Sequence, residues 1–243
     1  MSERERITLI TGAARGIGRT CAERLASNGH TIVGLDQREP TGQFPGDLYH
    51  VDLNDRTATE ALLSKLAGRY AFNELLNNAG IANHHAIEEY PLDVLDEDIQ
   101  VIMTAAIQCV KALAPLMKAE GFGRIVSISS ELVLGHVGRT GYAATKAALI
   151  SLARTWSLEL TPHGVTVNCI APGPIDTEFF QSRNPPGSAQ RKSKLTKIPA
   201  GRIGRPNDIA NAVEFFMREE SEWITGQTLF VDGGSSIGGS AVF

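Results

Sequence analysis

The stretch TGAARGIG, residues 11 to 18, lies between the apolar run ITLIT (7 to 11) and a segment of helical period near 17 to 28. Its glycines at 12, 16 and 18 allow a sharp turn and a close approach of the backbone to a bound group. Pyrophosphate is favoured at such a helix start. The spacing G-x-x-x-G-x-G only approximates the usual dinucleotide fingerprint, and no G-K-[ST] follows to mark a P-loop. The stretch predicts a dinucleotide-binding turn, with a purely structural turn as the alternative.

Outward from this turn, short apolar runs alternate with longer segments of helical period. Strands are predicted at 7–11, 30–36, 47–52, 74–80, 124–130, 165–173 and 227–234, and helices near 17–28, 55–69, 96–118, 142–160 and 207–217. Parallel strands need helical crossovers. The alternation therefore predicts an α/β fold, a doubly wound parallel sheet of about seven strands with helices on both faces. No linker is apparent, so one domain is expected over residues 1–243.

Composition excludes several classes of protein. The chain of 243 residues is 42% hydrophobic and has a net charge of -4, which gives no reason to expect nucleic acid or an anionic membrane as partner. No run approaching the ~20 apolar residues of a membrane span was identified. Cys21, Cys109 and Cys169 are scattered, so neither a disulfide framework nor a metal site is indicated. With no signal-peptide core near the start, a cytoplasmic location is expected.

Asp36 ends the second predicted strand, 18 residues after Gly18. An acidic side chain there can accept a hydrogen bond from an adenosine ribose hydroxyl and would repel a 2′-phosphate. Arg15 and Arg38 favour the opposite, since either could pair with that phosphate. The pattern favours NAD over NADP.

The stretch GYAATKAAL (141 to 149) places Tyr142 and Lys146 one helical turn apart. Alone, such a pair is typical of an amphipathic surface; beside a dinucleotide turn, it suggests acid–base chemistry. A tyrosine pKa near 10 must fall by about three units, or about 4 kcal/mol, to act near neutrality. An ammonium about 5 Å away provides roughly 3 kcal/mol at an effective dielectric near 20. Lys146 is therefore predicted to lower the pKa of Tyr142.

Five motifs in order resemble those of the short-chain dehydrogenase/reductase family over nearly the whole chain. They are TGAARGIG, NNAG (77–80), RIVSISS (124–130) followed by YAATK (142–146), VNCIAPGPIDT (167–177) and ITGQTLFVDGG (224–234). The resemblance implies a single Rossmann-like domain, hydride transfer between a nicotinamide and a carbonyl or alcohol carbon, and a homotetramer.

By that resemblance Tyr142 is the general acid/base, and Lys146 also holds the nicotinamide ribose. The orienting serine is Ser129 by the family's usual spacing but Ser130 by matching the strand. We choose Ser130, because strand register shifts less easily than loop length. The expected cofactor-binding residues are Gly12, Arg15, Gly16, Ile17, Gly18, Asp36, Asp52, Leu53, Asn78, Ala79, Gly80, Tyr142, Lys146, Pro172, Gly173, Ile175 and Thr177.

One position departs from the family's pattern. Many relatives carry an asparagine in the helix before RIVSISS, where it positions water in a proton path to the lysine, and counting back without gaps puts Ile102 there. Either proton exchange is slower, or another polar group such as Asp98 substitutes, or the chain is a dinucleotide-binding sensor or scaffold with weak catalysis. The retained serine, tyrosine and lysine favour a working enzyme with an altered relay.

Residues 177–206, which we call the lid, lack a clean period and predict a mobile excursion over a site. The lid carries one acid, Glu178, against seven bases: Arg183, Arg191, Lys192, Lys194, Lys197, Arg202 and Arg205. It is either a solvated loop or a positive field that steers a carboxylate or phosphate substrate. His84, His85 and His136 could border the pocket, but no metal-binding pattern accompanies them, and they are expected to be polar loop residues.

Overall fold

The computed structural model describes residues 4–238; the outer ends of the expected 1–243 domain, residues 1–3 and 239–243, lie outside it. The seven predicted strands are all present and form one parallel sheet in the order β3-β2-β1-β4-β5-β6-β7. They are β1 Ile7–Thr11, β2 Thr31–Asp36, β3 Asp47–His50, β4 Glu74–Asn77, β5 Gly123–Ile128, β6 Val165–Pro172 and β7 Thr228–Val231.

Consecutive residues of a strand are buried in apolar clusters on opposite faces of the sheet. Leu9 belongs to one apolar cluster and Ile10 to the other, and Ile125 and Val126 divide in the same way. This follows from the two-residue period of a strand, and it requires helices on both faces. The single-domain, doubly wound fold is therefore confirmed.

The described residues form eight α-helices. They are α1 Gly16–Ser27, α2 Arg56–Ala67, α3 Leu92–Asp98, α4 Ala105–Glu120, α5 Thr140–Leu160, α6 Glu178–Arg183, α7 Ala189–Leu195 and α8 Pro206–Met217. α1 packs against α8 in one layer, whereas α2, α4 and α5 contribute to the other. Gly29, at φ +87°, follows the end of α1 as expected of a helix stop.

α3 and α4 are joined by a π-helical segment, Ile99–Thr104, into one helix of 29 residues. By length and composition alone this helix could cross a membrane, with a mean hydropathy of 1.5 over its best window, so the expectation of no such segment was wrong. Its side chains Cys109, Leu113 and Met117 are fully buried in the domain core. The helix is apolar because it packs against the sheet.

The lid contains two short helices, α6 and α7, that its irregular sequence did not predict. Thr177 caps α6 by accepting a hydrogen bond from the amide of Phe180, and Ser188 caps α7 through the amide of Arg191. Helices of six and seven residues show too few turns for a period to appear in the sequence.

The strand order reverses between β1 and β4. The chain adds β2 and β3 on one side of β1, then crosses back and adds β4 and the later strands on the other side. In sheets of this kind ligands bind at such a switch point, beyond the carboxyl ends of the strands. The glycine turn follows β1 and the NNAG motif spans the end of β4, so both lie at this crevice.

Candidate active site

Each glycine of the turn occupies a position that a larger residue could not fill without strain. Gly12 and Gly16 have φ of +65° and +57°. A Cβ on Gly18 would lie 2.1 Å from the carbonyl oxygen of Gly12. The glycines thus bring α1 close against the turn and leave backbone amides at its start, as binding of a pyrophosphate requires.

Hydrogen bonds between the ends of β1 and β4 hold the turn in place. The Asn78 amide nitrogen Nδ2 donates to the carbonyl oxygens of Thr11 and Gly12, at 3.0 Å each. The Thr11 hydroxyl accepts from the backbone amides of Asn78 and Ala79 at 3.0 and 3.1 Å. Asn78 therefore forms part of the crevice wall, and its side chain also links the ends of β1 and β4.

One cavity of about 390 Å³ runs from this turn to the catalytic candidates. It is bordered by Ser130 and by every expected cofactor residue except Gly18, which packs beneath the turn. Motifs separated by more than 150 residues thus converge on one site. A dinucleotide fits these residues, because the glycines leave the backbone of the turn free of side chains that would block a pyrophosphate.

Asp36 lies at the carboxyl end of β2 and borders the cavity. Its two carboxylate oxygens accept from the backbone amides of Ala14 and Arg38, at 2.9 and 3.0 Å. This holds a negative charge beside the turn. Arg15 and Arg38 border the same part of the site, so both signs of charge predicted from the sequence are present.

The two serines at the end of β5 have different partners. The Ser129 hydroxyl is buried and donates to the carbonyl oxygen of Lys146 at 2.8 Å, which ties β5 to α5. The Ser130 Oγ accepts from the backbone amide of Leu132 at 3.2 Å and borders the cavity together with Tyr142, and its hydrogen bonding acts to lower the pKa of the Tyr142 phenol. The geometry therefore favours Ser130 as the serine beside the reacting group.

Tyr142 and Lys146 meet in the cavity wall, but their charges interact differently from the prediction. The Lys146 Nζ lies 5.9 Å from the centroid of the Tyr142 ring and donates to the carbonyl oxygen of Ile128 at 2.6 Å. Burial raises the pKa of Tyr142, opposed by hydrogen bonding to Ser130 and by the charge of Arg139. Burial also lowers the pKa of Lys146 to about 8. The charge of Arg139, which the sequence analysis did not consider, thus acts to favour ionisation of Tyr142.

Arg139 is the main site residue that the sequence analysis missed. It is the residue before α5, three positions ahead of Tyr142, and it borders the cavity. Its Nη1 donates to the carbonyl oxygen of Asn83 at 2.8 Å, while its Nε is buried without a partner. Position alone was the available signal, since a basic residue one turn before the tyrosine faces the same side of the helix.

Ile102, the position that departs from the family's pattern, is buried. A Cβ on Gly80 would lie 3.3 Å from the Lys146 Nζ and 3.9 Å from the Ile102 side chain, so an apolar group lies close to the ammonium. Asp98 is also buried, but it accepts a hydrogen bond from the Tyr90 hydroxyl at 3.2 Å and packs against Gly141. Asp98 therefore faces the start of α5 and does not border the cavity.

The histidines lie outside the cavity wall. The His84 ring packs on Gly138, the His85 ring meets Tyr90 edge-to-face, and His136 contacts the carbonyl oxygen of Val137. Within residues 4–238 no group of three His, Cys, Asp or Glu side chains is arranged to hold a metal ion.

A family model described as enoyl-(acyl carrier protein) reductase matches residues 12–236. The 3-oxoacyl-[acyl-carrier-protein] reductase FabG of Escherichia coli K12 is 34% identical over 238 residues, covering 94% of this chain and 96% of the relative. The chain belongs to the short-chain dehydrogenase/reductase family. It is accordingly an NAD(P)-dependent oxidoreductase.

Solved structures of family members match the whole fold. A proposed NAD(P)-dependent gluconate 5-dehydrogenase of Beutenbergia cavernae, solved with bound NADP, superposes with a TM-score of 0.89 at 31% identity, covering 95% of this chain and 96% of that chain. The ligand-free aldohexose dehydrogenase of Thermoplasma acidophilum gives a TM-score of 0.90 at 28% identity, covering 99% of this chain and 97% of that chain. These likenesses establish a nicotinamide dinucleotide as the class of cofactor.

Proposed function

We propose that this short-chain oxidoreductase transfers hydride between a nicotinamide and the carbon of a ketone or secondary alcohol, with Tyr142 as general acid/base. The observation that carries the proposal is the meeting of Ser130, Tyr142 and Lys146 on the wall of the cavity that the glycine turn also borders. The relatives support the substrate class, since the names of two describe a 3-oxoacyl reductase and a gluconate 5-dehydrogenase.

In this mechanism the bound nicotinamide accepts or supplies the hydride. Ser130 hydrogen-bonds to the substrate oxygen and aligns it with the phenol of Tyr142. Because burial raises the pKa of Tyr142, the phenol is protonated near neutrality and suited to donate to a carbonyl oxygen. Reduction is therefore expected to proceed at neutral pH, whereas oxidation should accelerate as the pH rises and the phenol ionises.

Lys146 is proposed to hold the nicotinamide ribose. Its ammonium has three donors, and the carbonyl oxygen of Ile128 takes one of them. The remaining donors are available to ribose hydroxyls at the cavity wall. With a pKa of about 8, Lys146 carries its charge at neutral pH despite burial.

We propose NAD as the preferred form of the cofactor. The Asp36 carboxylate, fixed by the amides of Ala14 and Arg38, would repel a 2′-phosphate at short range. The Beutenbergia relative contains NADP, so the preference of this chain rests on Asp36 outweighing Arg15 and Arg38.

Residues 177–206 are proposed to act as a substrate lid. Thr177, Phe179, Phe180 and Arg183 of this segment border the cavity, so the lid forms part of its wall. The seven bases of the lid predicted an anionic substrate, but not all of them are free to bind one. Arg191 is paired with Asp176 and Arg202 with Asp208, each through two hydrogen bonds, so these two bases are already neutralised.

We further propose a cytoplasmic homotetramer. All three cysteines are free and buried, which suits a reducing compartment. The exposed apolar side chains of Leu158 and Trp223, 81% and 94% exposed, support burial in contacts between subunits. Light scattering of the purified chain would test the tetramer directly.

The function is tested by following the absorbance of reduced cofactor with a panel of ketones, aldehydes and secondary alcohols, using NADH and NADPH in parallel. Turnover with a ketone or secondary alcohol, faster with NADH, is the expected result. Tight binding of NADH, seen by its fluorescence, with no turnover across the panel would favour the sensor or scaffold and contradict the proposal.

A further inference from the structure

Two arginines from separate parts of the chain border the same cavity as the Tyr142 phenol. Arg139 lies immediately before α5, and Arg183 is the last residue of α6 in the lid. The charge of Arg183 is felt at Arg139, where burial and this like charge together lower the guanidinium's pKa. Two cations thus share the wall of the cavity with the catalytic candidate, and the charge of one acts on the other.

Neither guanidinium has a carboxylate within salt-bridge distance among residues 4–238. Arg139 donates from Nη1 to the Asn83 carbonyl oxygen and keeps a buried Nε without a partner. Arg183 stacks on the Phe179 ring, 4.6 Å from its centroid. Two other bases of the lid, Arg191 and Arg202, are held in bidentate pairs with aspartates. The pair at the cavity is therefore free to bind an anion from outside the chain.

Three glutamates restrict the charge that this end of the cavity can accept. Glu97, Glu131 and Glu178 also border it, as does Lys194, whose charge acts to lower the pKa of Glu131. Among the cations of the cavity, the charge of Arg139 acts on the Tyr142 phenol and the charge of Arg183 acts on Arg139. A planar guanidinium matches a carboxylate through two parallel hydrogen bonds, and beside three glutamates a single negative charge suits two arginines better than a phosphate dianion.

We propose that Arg139 and Arg183 bind the carboxylate of the substrate, so that the chain acts on an oxo acid or the corresponding hydroxy acid. This inference rests on the proposed function. Because Arg139 precedes Tyr142 by one helical turn, the carboxylate binds only a few atoms from the reacting carbon. In the reduction, the hydride brings its two electrons from the reduced nicotinamide to the carbonyl carbon, the C=O π bond breaks, and the oxygen gains a proton from Tyr142. The arginines transfer neither the hydride nor the proton.

Arg139 also has a structural alternative as a counter-charge for Asp98, whose carboxylate raises the pKa of the guanidinium. The test must therefore separate substrate recognition from support of the fold. A short 2- or 3-oxo acid and its neutral methyl ester form a matched pair of probes, since they differ in charge at the site the arginines are proposed to contact.

The experiment compares kcat and KM for acid and ester in the wild type, Arg139→Gln, Arg139→Lys and Arg183→Gln. The wild type should prefer the acid, and each Gln variant should lose about 10- to 100-fold of that preference, taken as the ratio of kcat/KM for the acid to kcat/KM for the ester. An effect of the lost Arg139 charge on Tyr142 is common to both substrates and cancels in this ratio. Arg139→Lys should recover part of the preference. Equal losses for acid and ester, or a wild type that prefers the ester, would overturn the proposal.

Lys197→Gln distinguishes this two-arginine site from a diffuse field of the lid, because exposed Lys197 lies outside the cavity wall. The site predicts an unchanged acid preference in this variant, and a fall as large as that of Arg183→Gln would overturn it. Thermal shift of the NADH-loaded chain by the oxo acid supplies a readout without turnover. If the oxo acid shifts the melting temperature of the wild type and Arg139→Gln abolishes that shift, the carboxylate site is supported even if no turnover is seen. If the acid causes no shift in the wild type, the carboxylate site is contradicted but the proposed function is not.

Discussion

The two ends of the cavity are built differently. At the dinucleotide end, the side-chain amide of Asn78 and the hydroxyl of Thr11 bond to backbone groups of neighbouring loops, and the glycines leave a cradle of backbone. At the substrate end lie the buried ammonium of Lys146 and the guanidinium of Arg139, whose Nε has no partner. The first end is set by local backbone geometry, whereas the second depends on side chains brought together from distant segments.

The strongest test of the dinucleotide end is Gly18→Ala. Its Cβ would meet the Gly12 carbonyl oxygen at 2.1 Å, so the turn and α1 must separate, and we expect a loss of at least about 3 kcal/mol of stability with NADH binding impaired. Thermal melts and NADH fluorescence measure both. Gly68→Ala is the matched control, since Gly68 has helical φ of -80° and no contact under 3.6 Å, and should be nearly neutral. Equal behaviour of the two variants would refute the steric account.

Lys146→Met tests whether burying the charged Lys146 ammonium at the substrate end lowers the stability of the fold. At about 1.4 kcal/mol per pH unit, the fall of the Lys146 pKa from 10.5 to about 8 costs about 3 kcal/mol, partly offset by its bond to the Ile128 carbonyl. We expect turnover to be lost while the free energy of unfolding at pH 7 rises by about 2 kcal/mol.

The pH dependence gives the sign of that effect. Between pH 8 and 10.5 the unfolded chain binds more protons at Lys146 than the folded chain, so wild-type stability gains with rising pH in this window. The advantage of Lys146→Met should be complete below pH 8 and shrink toward pH 10.5. Chemical denaturation across this range measures it, with exposed Lys65→Met as control. A variant less stable than the wild type at pH 7 would contradict the penalty.

Asp36→Asn sharpens the account of the dinucleotide end with a smaller effect. Removing the charge while keeping the shape should weaken the rejection of a 2′-phosphate, and the NADH-to-NADPH affinity ratio should fall about tenfold. Titration by nicotinamide fluorescence measures the ratio. If the ratio stays the same, Arg15 and Arg38 rather than Asp36 decide the cofactor.

The smallest expected change concerns proton exchange near Lys146. Ile102→Asn places a polar group beside the buried ammonium, and we expect a change of a few-fold in turnover with an altered pH profile, at a stability cost of about 1–3 kcal/mol. Ile102→Val keeps the site apolar and should leave the profile as it is. An unchanged profile in Ile102→Asn would show that the relay idea is wrong.

The comparison of the two ends also explains how far the sequence could predict the structure. The seven strands and the glycine turn were predictable, because periodicity and glycine spacing report local backbone geometry. The choice of Ser130 over Ser129 came from strand register and stays a prediction; the hydroxyl of Ser129 donates to the carbonyl oxygen of Lys146. The importance of Arg139 was not predictable, since it depends on a hydrogen bond to the carbonyl oxygen of Asn83 and on the charge of Arg183, 56 and 44 residues away.

The most direct measurement is the turnover and NADH affinity of Tyr142→Phe, with Tyr49→Phe on β3 as matched control. Removing one hydroxyl from Tyr142 should lower kcat at least about 100-fold while the NADH affinity stays within about threefold, because the dinucleotide end is intact. Tyr49→Phe should match the wild type. Turnover that persists in Tyr142→Phe would contradict the assignment of Tyr142 as the acid/base.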